Sequence, residues 1–438
     1  MKKNAMVAQS GGPTAAINAS LAGVIKGVVE TGCYETVYGA VHGIQGVLRE
    51  DFVNLSDLTT VIYESMGRLN LLGSKYSFES DSFMEPESAI DILATTPAMY
   101  LGSCRYKLPE EESDLEIYEQ IFKTLDKMNI GAFFYIGGND SMDTVMKLSK
   151  YAEAHSIDIR FGGIPKSIDN DLPVTDHTPG FGSAAKFIAT SFLEMAHDTF
   201  VYDIPTVTIV ECMGRNAGWL TASSALARNK YNATPQLVYL PEVDFDKDAF
   251  LEDVNAALKD SKNVIVAVSE GIHDKDGNYI SATDAHADTF GHSQLGGAAK
   301  NLEILVKNEI GVKCRSVELN ILQRCAGHIA SKADLDESIK LGQAAVHFAF
   351  EGNTDFIPVI KRMSNAPYWY NIELTRIENI ADREKCVPTD WITPEHNNVT
   401  QEMLDYIRPL IQGEVRIAYR DGLPMYIKVP HLRMDGEN

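Results

Sequence analysis

Cysteine is scarce and follows no pairing pattern. The six cysteines in 438 residues, Cys33, Cys104, Cys212, Cys314, Cys325 and Cys386, include no C-x-x-C pair. That spacing suits neither a disulfide framework nor a structural zinc site and fits a reducing compartment. No segment is long and apolar enough to span a bilayer, and no short-period repeat marks a solenoid. The amino-terminal MKKNAMVAQSGG has only a brief apolar run before its glycines, so it reads as a first strand and not a signal peptide. The protein is therefore expected in the cytoplasm. Positive charge is also in short supply: 39 Lys and Arg against 61 Asp and Glu leave a net charge of −22. So acidic a chain is not expected to partner nucleic acid or an anionic membrane. Any anionic ligand must be met by a metal or by the few Lys and Arg residues in clefts.

What is present is a regular alternation of strands and helices. Apolar runs predict strands at Ala5 to Gln9, Thr36 to Val41, Ala98 to Tyr106, Ala132 to Ile136 and Ile157 to Ile164, then at Thr206 to Cys212, Gln236 to Leu240, Val264 to Ser269 and Arg315 to Leu319. Helical patterns separate most of them, near Ala15 to Glu30, Ile117 to Met128, Met142 to His155, Ser183 to His197, Ala217 to Arg228, Lys247 to Lys259 and Gln294 to Asn308. This order implies an α/β fold of two doubly wound, Rossmann-like domains with mainly parallel sheets and right-handed crossovers, which also suits the length. Beyond about Asn353 the pattern weakens. Pro367 to Trp391 reads as a packed extension without a derivable role.

Open α/β sheets gather ligands at the carboxyl ends of their strands, and the polar residues cluster there. Gly163 to Gly182 follows a strand and precedes a helix, and offers an ammonium at Lys166, a hydroxyl at Ser167 and carboxylates at Asp169 and Asp171. Ser10-Gly11-Gly12-Pro13-Thr14 is either a phosphate-facing turn or a simple tight turn. Gly137-Gly138-Asn139-Asp140-Ser141 repeats the device with an amide and a carboxylate that suit Mg²⁺, although Asp140 and Ser141 could equally cap the next helix. Arg105 with Lys107 is either a phosphate neutraliser or an exposed pair. Met213-Gly214-Arg215-Asn216-Ala217-Gly218 carries an arginine in a strand-to-helix turn. Glu270 ends another strand and could accept hydroxyl protons from a sugar. Arg315 and Arg324 flank Ser316 to Gln323, either to grip a phosphate or to pair with acidic neighbours. Together these features describe a phosphoryl-transfer cleft between two domains.

Pro165-Lys166-Ser167-Ile168-Asp169-Asn170-Asp171, with the Gly137, Met213, Ser269-Glu270-Gly271 and Gln323-Arg324 motifs, resembles the phosphofructokinase family, in order from the first strand to about Gly352. The resemblance implies phosphoryl transfer to the 1-hydroxyl of fructose 6-phosphate, with Mg²⁺, in a reversible step of glycolysis and gluconeogenesis. By motif position Asp169 would be the general base, and Ser167, Ile168, Asp169, Met213, Gly214 and Arg215 would line the sugar. Glu270 would hold sugar hydroxyls, Arg315 and Arg324 the 6-phosphate, while Gly11 and Arg105 would face the donor and Asn139 the metal. Residues 1–180, completed by about 323–352, would form the donor domain, 181–322 the fructose 6-phosphate domain, and 353–438 a C-terminal extension. A homodimer is the assembly expected from family likeness.

The resemblance also addresses the donor. ATP-dependent members usually carry glycine at the positions of Asp140 and Lys166, whereas members using pyrophosphate carry Asp and Lys, as here. A carboxylate at Asp140 would crowd the α-phosphate of ATP, and Lys166 would place charge beside the bridging oxygen. Pyrophosphate is thus the expected donor. Three positions depart from the common pattern: Asn139 replaces an aspartate, Ile321 a histidine, and Thr206 an arginine that reaches across a subunit interface. Weak or no nucleotide regulation is expected. Competing readings are an ATP-dependent enzyme, a non-catalytic sugar-phosphate-binding homologue, and a dinucleotide oxidoreductase, which the absence of G-x-G-x-x-G spacing disfavours.

Overall fold

The structure, a computed structural model, describes residues 2–64, 86–281, 297–381, 383–420 and 422–428. The first sheet is built from β1 (Asn4–Gln9), β2 (Val37–Ala40), β3 (Phe52–Asn54), β4 (Ile130–Gly137) and β5 (Arg160–Pro165). β1 pairs in parallel with both β2 and β4, and β4 with β5. Alternate side chains enter opposite cores. Val7, Phe134, Ile136 and Ile164 pack on one face, and Met6, Ala8, Phe133, Tyr135 and Phe161 on the other. A strand covered on both sides has no solvent face to mark with polar residues, which is why these runs read as nearly continuous apolar sequence. The second sheet is fully parallel, with β6 (Thr206–Cys212), β7 (Leu237–Tyr239), β8 (Asn263–Ser269) and β9 (Lys313–Glu318) in the order β9-β6-β8-β7. It too separates two cores, Val210, Ile265 and Ala267 on one side from Ile209, Val264 and Val266 on the other.

Helices cover both sheets. Among them are α1 (Ile17–Thr31), α2 (Asn139–Ala154), α3 (Phe181–Thr199), α4 (Ala298–Glu309) and α5 (Lys332–Phe350). α5 returns from the second sheet and crosses α1 at very short range. A Cβ added to Gly23 would lie 2.1 Å from the Ile339 carbonyl oxygen, and one on Gly342 would lie 2.2 Å from that of Ser20. Only glycine permits that approach of two helix backbones.

The residues beyond 353 belong to the body of the fold. β10 (Phe356–Asn365) adds to β5, in parallel at Phe356 and Gly162, and β11 (Tyr368–Arg376) pairs antiparallel with β10. The first sheet therefore reads β11-β10-β5-β4-β1-β2-β3. Further on, Met403, Tyr406, Ile407 and Leu410 fill the core beneath α3 with Phe181 and Trp219. Ala98 to Tyr106, expected as a strand, is irregular. Its amides are claimed by side chains instead, the Tyr100 N–H by Asn18 Oδ1 (2.9 Å) and the Leu101 N–H by Gln9 Oε1 (2.9 Å). The helix expected at Gln294 to Asn308 begins at Ala298, and residues 294–296 lie outside those described. All six cysteines are free, and among the described residues no helix is long and apolar enough to cross a membrane.

Candidate active site

The sheet order dictates where a ligand can sit. From β1 the chain continues to β2 on one side, whereas from β4 it continues to β5 on the other. A crevice opens at the carboxyl ends of β1 and β4, where the two connections diverge. Ser10 to Gly12 and Gly137 to Asp140 lie there, and the second lobe faces them with the ends of β6 and β8. The resulting cleft, about 580 Å³, is lined by Gly11, Arg105, Asn139, Asp140, Lys166, Ser167, Asp169, Asp171, Met213, Arg215 and Glu270, among others.

On the first lobe, Gly11 adopts φ +81°, and the Lys166 Nζ donates to the Gly12 carbonyl at 2.7 Å. A Cβ on Gly11 would come within 3.1 Å of that nitrogen, so the ammonium occupies the space directly over the glycine turn. α1 starts only at Ile17, so this turn stands apart from the first helical turn. α2 does start at the second turn. Its N-cap is Gly138, with no side-chain capping bond, so neither Asp140 nor Ser141 caps it. Its first amides and the positive end of its dipole face the crevice.

The loop after β5 is pinned from several directions. The Lys166 N–H reaches the Gly137 carbonyl (3.0 Å) and the Ser167 N–H that of Pro179 (3.1 Å). Asn170, at φ +56°, donates to Tyr406 Oη (2.9 Å) and accepts from the Thr178 N–H (3.1 Å). Ile168, expected along the sugar, turns its side chain into the core with Phe181 and Leu319. On the second lobe the Gly214 N–H donates to Glu270 Oε1 at 3.2 Å, the Ser269 hydroxyl donates to the Gly214 carbonyl, and the Met213 N–H donates to Gln323 Oε1 at 3.3 Å. This aims Met213, Gly214 and Arg215 at the first lobe.

The two arginines expected to grip a phosphate part company. Arg324 reaches the cleft: its guanidinium lies 3.7 Å from where a Gly12 Cβ would be, and its charge acts on both Lys166 and Glu270. Arg315 is not brought there. It sits mid-strand opposite Thr208, three residues short of the β9 terminus, and pairs at 3.7 Å with Asp198 on α3.

Burial dominates the electrostatics. It pulls Lys166 down to about 8, against the pull of Asp169 and Asp171 and with the help of Arg324. It pushes Asp169 well above the usual carboxylate range, reinforced by Asp171 and Glu270 and opposed by Lys166. Glu270 is raised by burial as well. An amine and a carboxyl drawn toward neutral pH from opposite ends suit a site that moves a proton and a phosphoryl group. Asn139 Oδ1 and Asp171 Oδ1 are buried without a hydrogen-bond partner. Among the described residues no three His, Cys, Asp or Glu side chains cluster as a metal cage. Asn139 and Asp171 both line the cleft, and unpartnered oxygens of this kind would suit Mg²⁺, a cation that prefers oxygen ligands.

The sequence model of the phosphofructokinase family matches residues 4–349. The chain belongs to the phosphofructokinase family. Among curated relatives, pyrophosphate–fructose 6-phosphate 1-phosphotransferase of Halomonas elongata is 38% identical, over 99% of this chain and 97% of that protein. The enzyme of the same name from Xanthomonas campestris is 40% identical over 98% and 96%. Among solved structures, the pyrophosphate-dependent phosphofructokinase of Nitrosospira multiformis superposes with a TM-score of 0.83 at 35% identity, covering 100% of this chain and 99% of that one. Within this phosphofructokinase, sequence reasoning missed Arg383 and Glu384, which also line the cleft. They come from the segment beyond β11, where no strand or helix period announces a site.

Proposed function

We propose that this chain transfers a phosphoryl group from pyrophosphate to the 1-hydroxyl of fructose 6-phosphate, giving fructose 1,6-bisphosphate and phosphate. The observation that carries this reading is the Lys166 ammonium, held over the Gly11-Gly12 turn at 2.7 Å from a backbone carbonyl in a cleft it shares with Asp140 and Asp169. That space is occupied by charge suited to a compact inorganic donor.

Asp169, its affinity for a proton raised by burial, takes the hydroxyl proton as the O1–P bond forms. The bond from phosphorus to the bridging oxygen breaks, and Lys166 stabilises the charge that develops on the departing phosphate. Glu270, fixed by the Gly214 N–H, orients sugar hydroxyls. Arg324 takes the 6-phosphate. Gly11 and Arg105 face the donor. Asn139 Oδ1, Asp140 and Asp171 would hold Mg²⁺, which when bound neutralises phosphate oxygens. Residues 1–180 with about 323–352 serve the donor and 181–322 the sugar. Free cysteines and soluble sugar phosphates suit the cytoplasm, and exposed Val201, Tyr202 and Ile204 support a homodimer.

Purified protein assayed with Mg²⁺, fructose 6-phosphate and each donor in turn tests the reading. Turnover with pyrophosphate and not with ATP is expected, and Lys166→Met is expected to lower kcat with pyrophosphate roughly 100- to 1000-fold. Turnover with ATP alone would overturn the donor assignment.

A further inference from the structure

The segment from Arg383 to Val387 is a strap sewn to both lobes. On the first lobe, the Arg383 carbonyl accepts from Asn139 Nδ2 (3.0 Å), and the Lys385 N–H donates to the Asp171 carbonyl (2.7 Å). The Lys385 Nζ donates to the Asp176 carbonyl (2.8 Å) and to Asn170 Oδ1 (3.2 Å). On the second lobe, the Lys385 carbonyl accepts from Trp219 Nε1 (3.0 Å), Glu384 Oε2 from Asn216 Nδ2 (3.2 Å), and Glu242 Oε1 from the Val387 N–H (2.9 Å). The charged side chains of Glu384 and Lys385 are thus committed to holding its path. The exception is the side chain of Arg383, a residue that lines the cleft: its guanidinium makes no ion pair or hydrogen bond with any described residue.

That exception is informative. The chain carries 22 excess negative charges, and Asp140, Asp169, Asp171, Glu270 and Glu384 all line the same cleft. An arginine fixed by its own carbonyl to the metal-suited Asn139, yet with no carboxylate partner among the described residues, is poised for an anion that arrives from solution. The adjacent groups, Asn139 and the uncapped start of α2, belong to the donor side of the cleft.

We propose that Arg383 is a binding residue for the phosphoryl donor. Its planar fork grips two oxygens of an inorganic diphosphate, and Lys385 acts as the positioning residue that keeps the strap across the cleft. This rests on the transfer from pyrophosphate proposed above.

The test compares wild type, Arg383→Gln, Arg383→Lys and Lys385→Met by steady-state kinetics, and by calorimetric titration with Mg²⁺ and inorganic pyrophosphate in the absence of sugar. Arg383→Gln is expected to raise the KM and the Kd for pyrophosphate roughly 10- to 100-fold with the KM for fructose 6-phosphate unchanged. Arg383→Lys should recover part of the loss, and Lys385→Met should weaken pyrophosphate in the same direction. Unchanged pyrophosphate affinity in Arg383→Gln, or a rise confined to the sugar KM, overturns the assignment. Wild-type protein that turns over ATP and not pyrophosphate would instead refute the donor reading, a result separable from any variant-to-wild-type ratio.

Discussion

Replacing Asp169 by Asn should make the protein slower and more stable at once. The change keeps the side-chain shape and removes both a proton acceptor and a charge. The carboxylate makes no hydrogen bond with a described residue. The backbone of the loop is held independently, through Ser167 Oγ to the Asp169 N–H (3.2 Å) and through Asn170, so no structural bond is lost. General bases contribute roughly 100- to 10,000-fold, and kcat should fall by that factor while the KM for fructose 6-phosphate stays near wild type. Stability moves the other way, because burial beside Asp171 and Glu270 raises the proton affinity of Asp169 in the folded state. Its ionised form therefore opposes folding. The penalty is absent below the ordinary carboxylate range, grows as pH rises through the interval between unfolded and folded values, and is complete above it. One pKa unit corresponds to about 1.4 kcal/mol. With solvent reaching the cleft, the variant should gain about 1–3 kcal/mol at pH 8 and almost nothing at pH 4. Denaturant unfolding at the two pH values, set beside kcat, decides the matter. A variant with wild-type kcat, or one less stable than wild type at pH 8, would refute the reasoning.

Two other parts of the molecule give independent checks. Gly23→Ala places a methyl group 2.1 Å from the Ile339 carbonyl oxygen and 2.9 Å from its Cα; forcing α1 from α5 should cost about 1–3 kcal/mol of unfolding free energy, read as a lower denaturant midpoint, without altering the KM of the folded fraction, and an unchanged midpoint would disprove the close crossing. His177 lies between Asp176 Oδ1 (2.8 Å) and Glu337 Oε2 (2.6 Å). Burial works against its charge, but the two carboxylates prevail and raise its pKa to about 9. Its contribution to stability is full below the unfolded value near 6.5 and is lost as pH rises through about 9. The thermal midpoint should therefore fall between pH 6.5 and 9.5 in wild type and show no such step in His177→Gln; the same fall in both would exclude His177 as the cause.

The sequence revealed those features whose cause is local. Apolar runs flanked by glycine marked β1, β4, β5, β6 and β8, because strands buried on both faces need uninterrupted hydrophobic side chains. The site loops were legible for a related reason: each comes directly after one of these strands. What stayed hidden depends on tertiary placement. Arg315 and Arg324 look equivalent in sequence, but only the strand's terminus separates one that reaches the cleft from one that pairs with Asp198. Ile168 sits among five polar neighbours in the loop, yet it fills the core under α3. Met99 to Leu101 have strand-like composition, but the buried side chains of Asn18 and Gln9 take the amides of Tyr100 and Leu101 first. The strap at Arg383 was the least legible, since its path is set by bonds to residues more than 140 positions away.

The same strap bears on how so acidic a chain holds doubly anionic substrates. At physiological ionic strength charges more than about 8 Å apart in water are largely screened, so most of the 22 excess negative charges act on a ligand only during its approach. Inside the cleft the balance is local. Lys166, Arg105, Arg215 and Arg383 line it beside five carboxylates, Arg324 reaches in over Gly12, and burial holds Asp169 and Glu270 closer to neutrality than exposed carboxylates would be. Raised carboxyl pKa values and supplied arginines therefore serve the same end. Two of the cleft's five carboxyls, Asp169 and Glu270, are drawn toward neutrality by burial, and its positive charge comes from both lobes and from the strap.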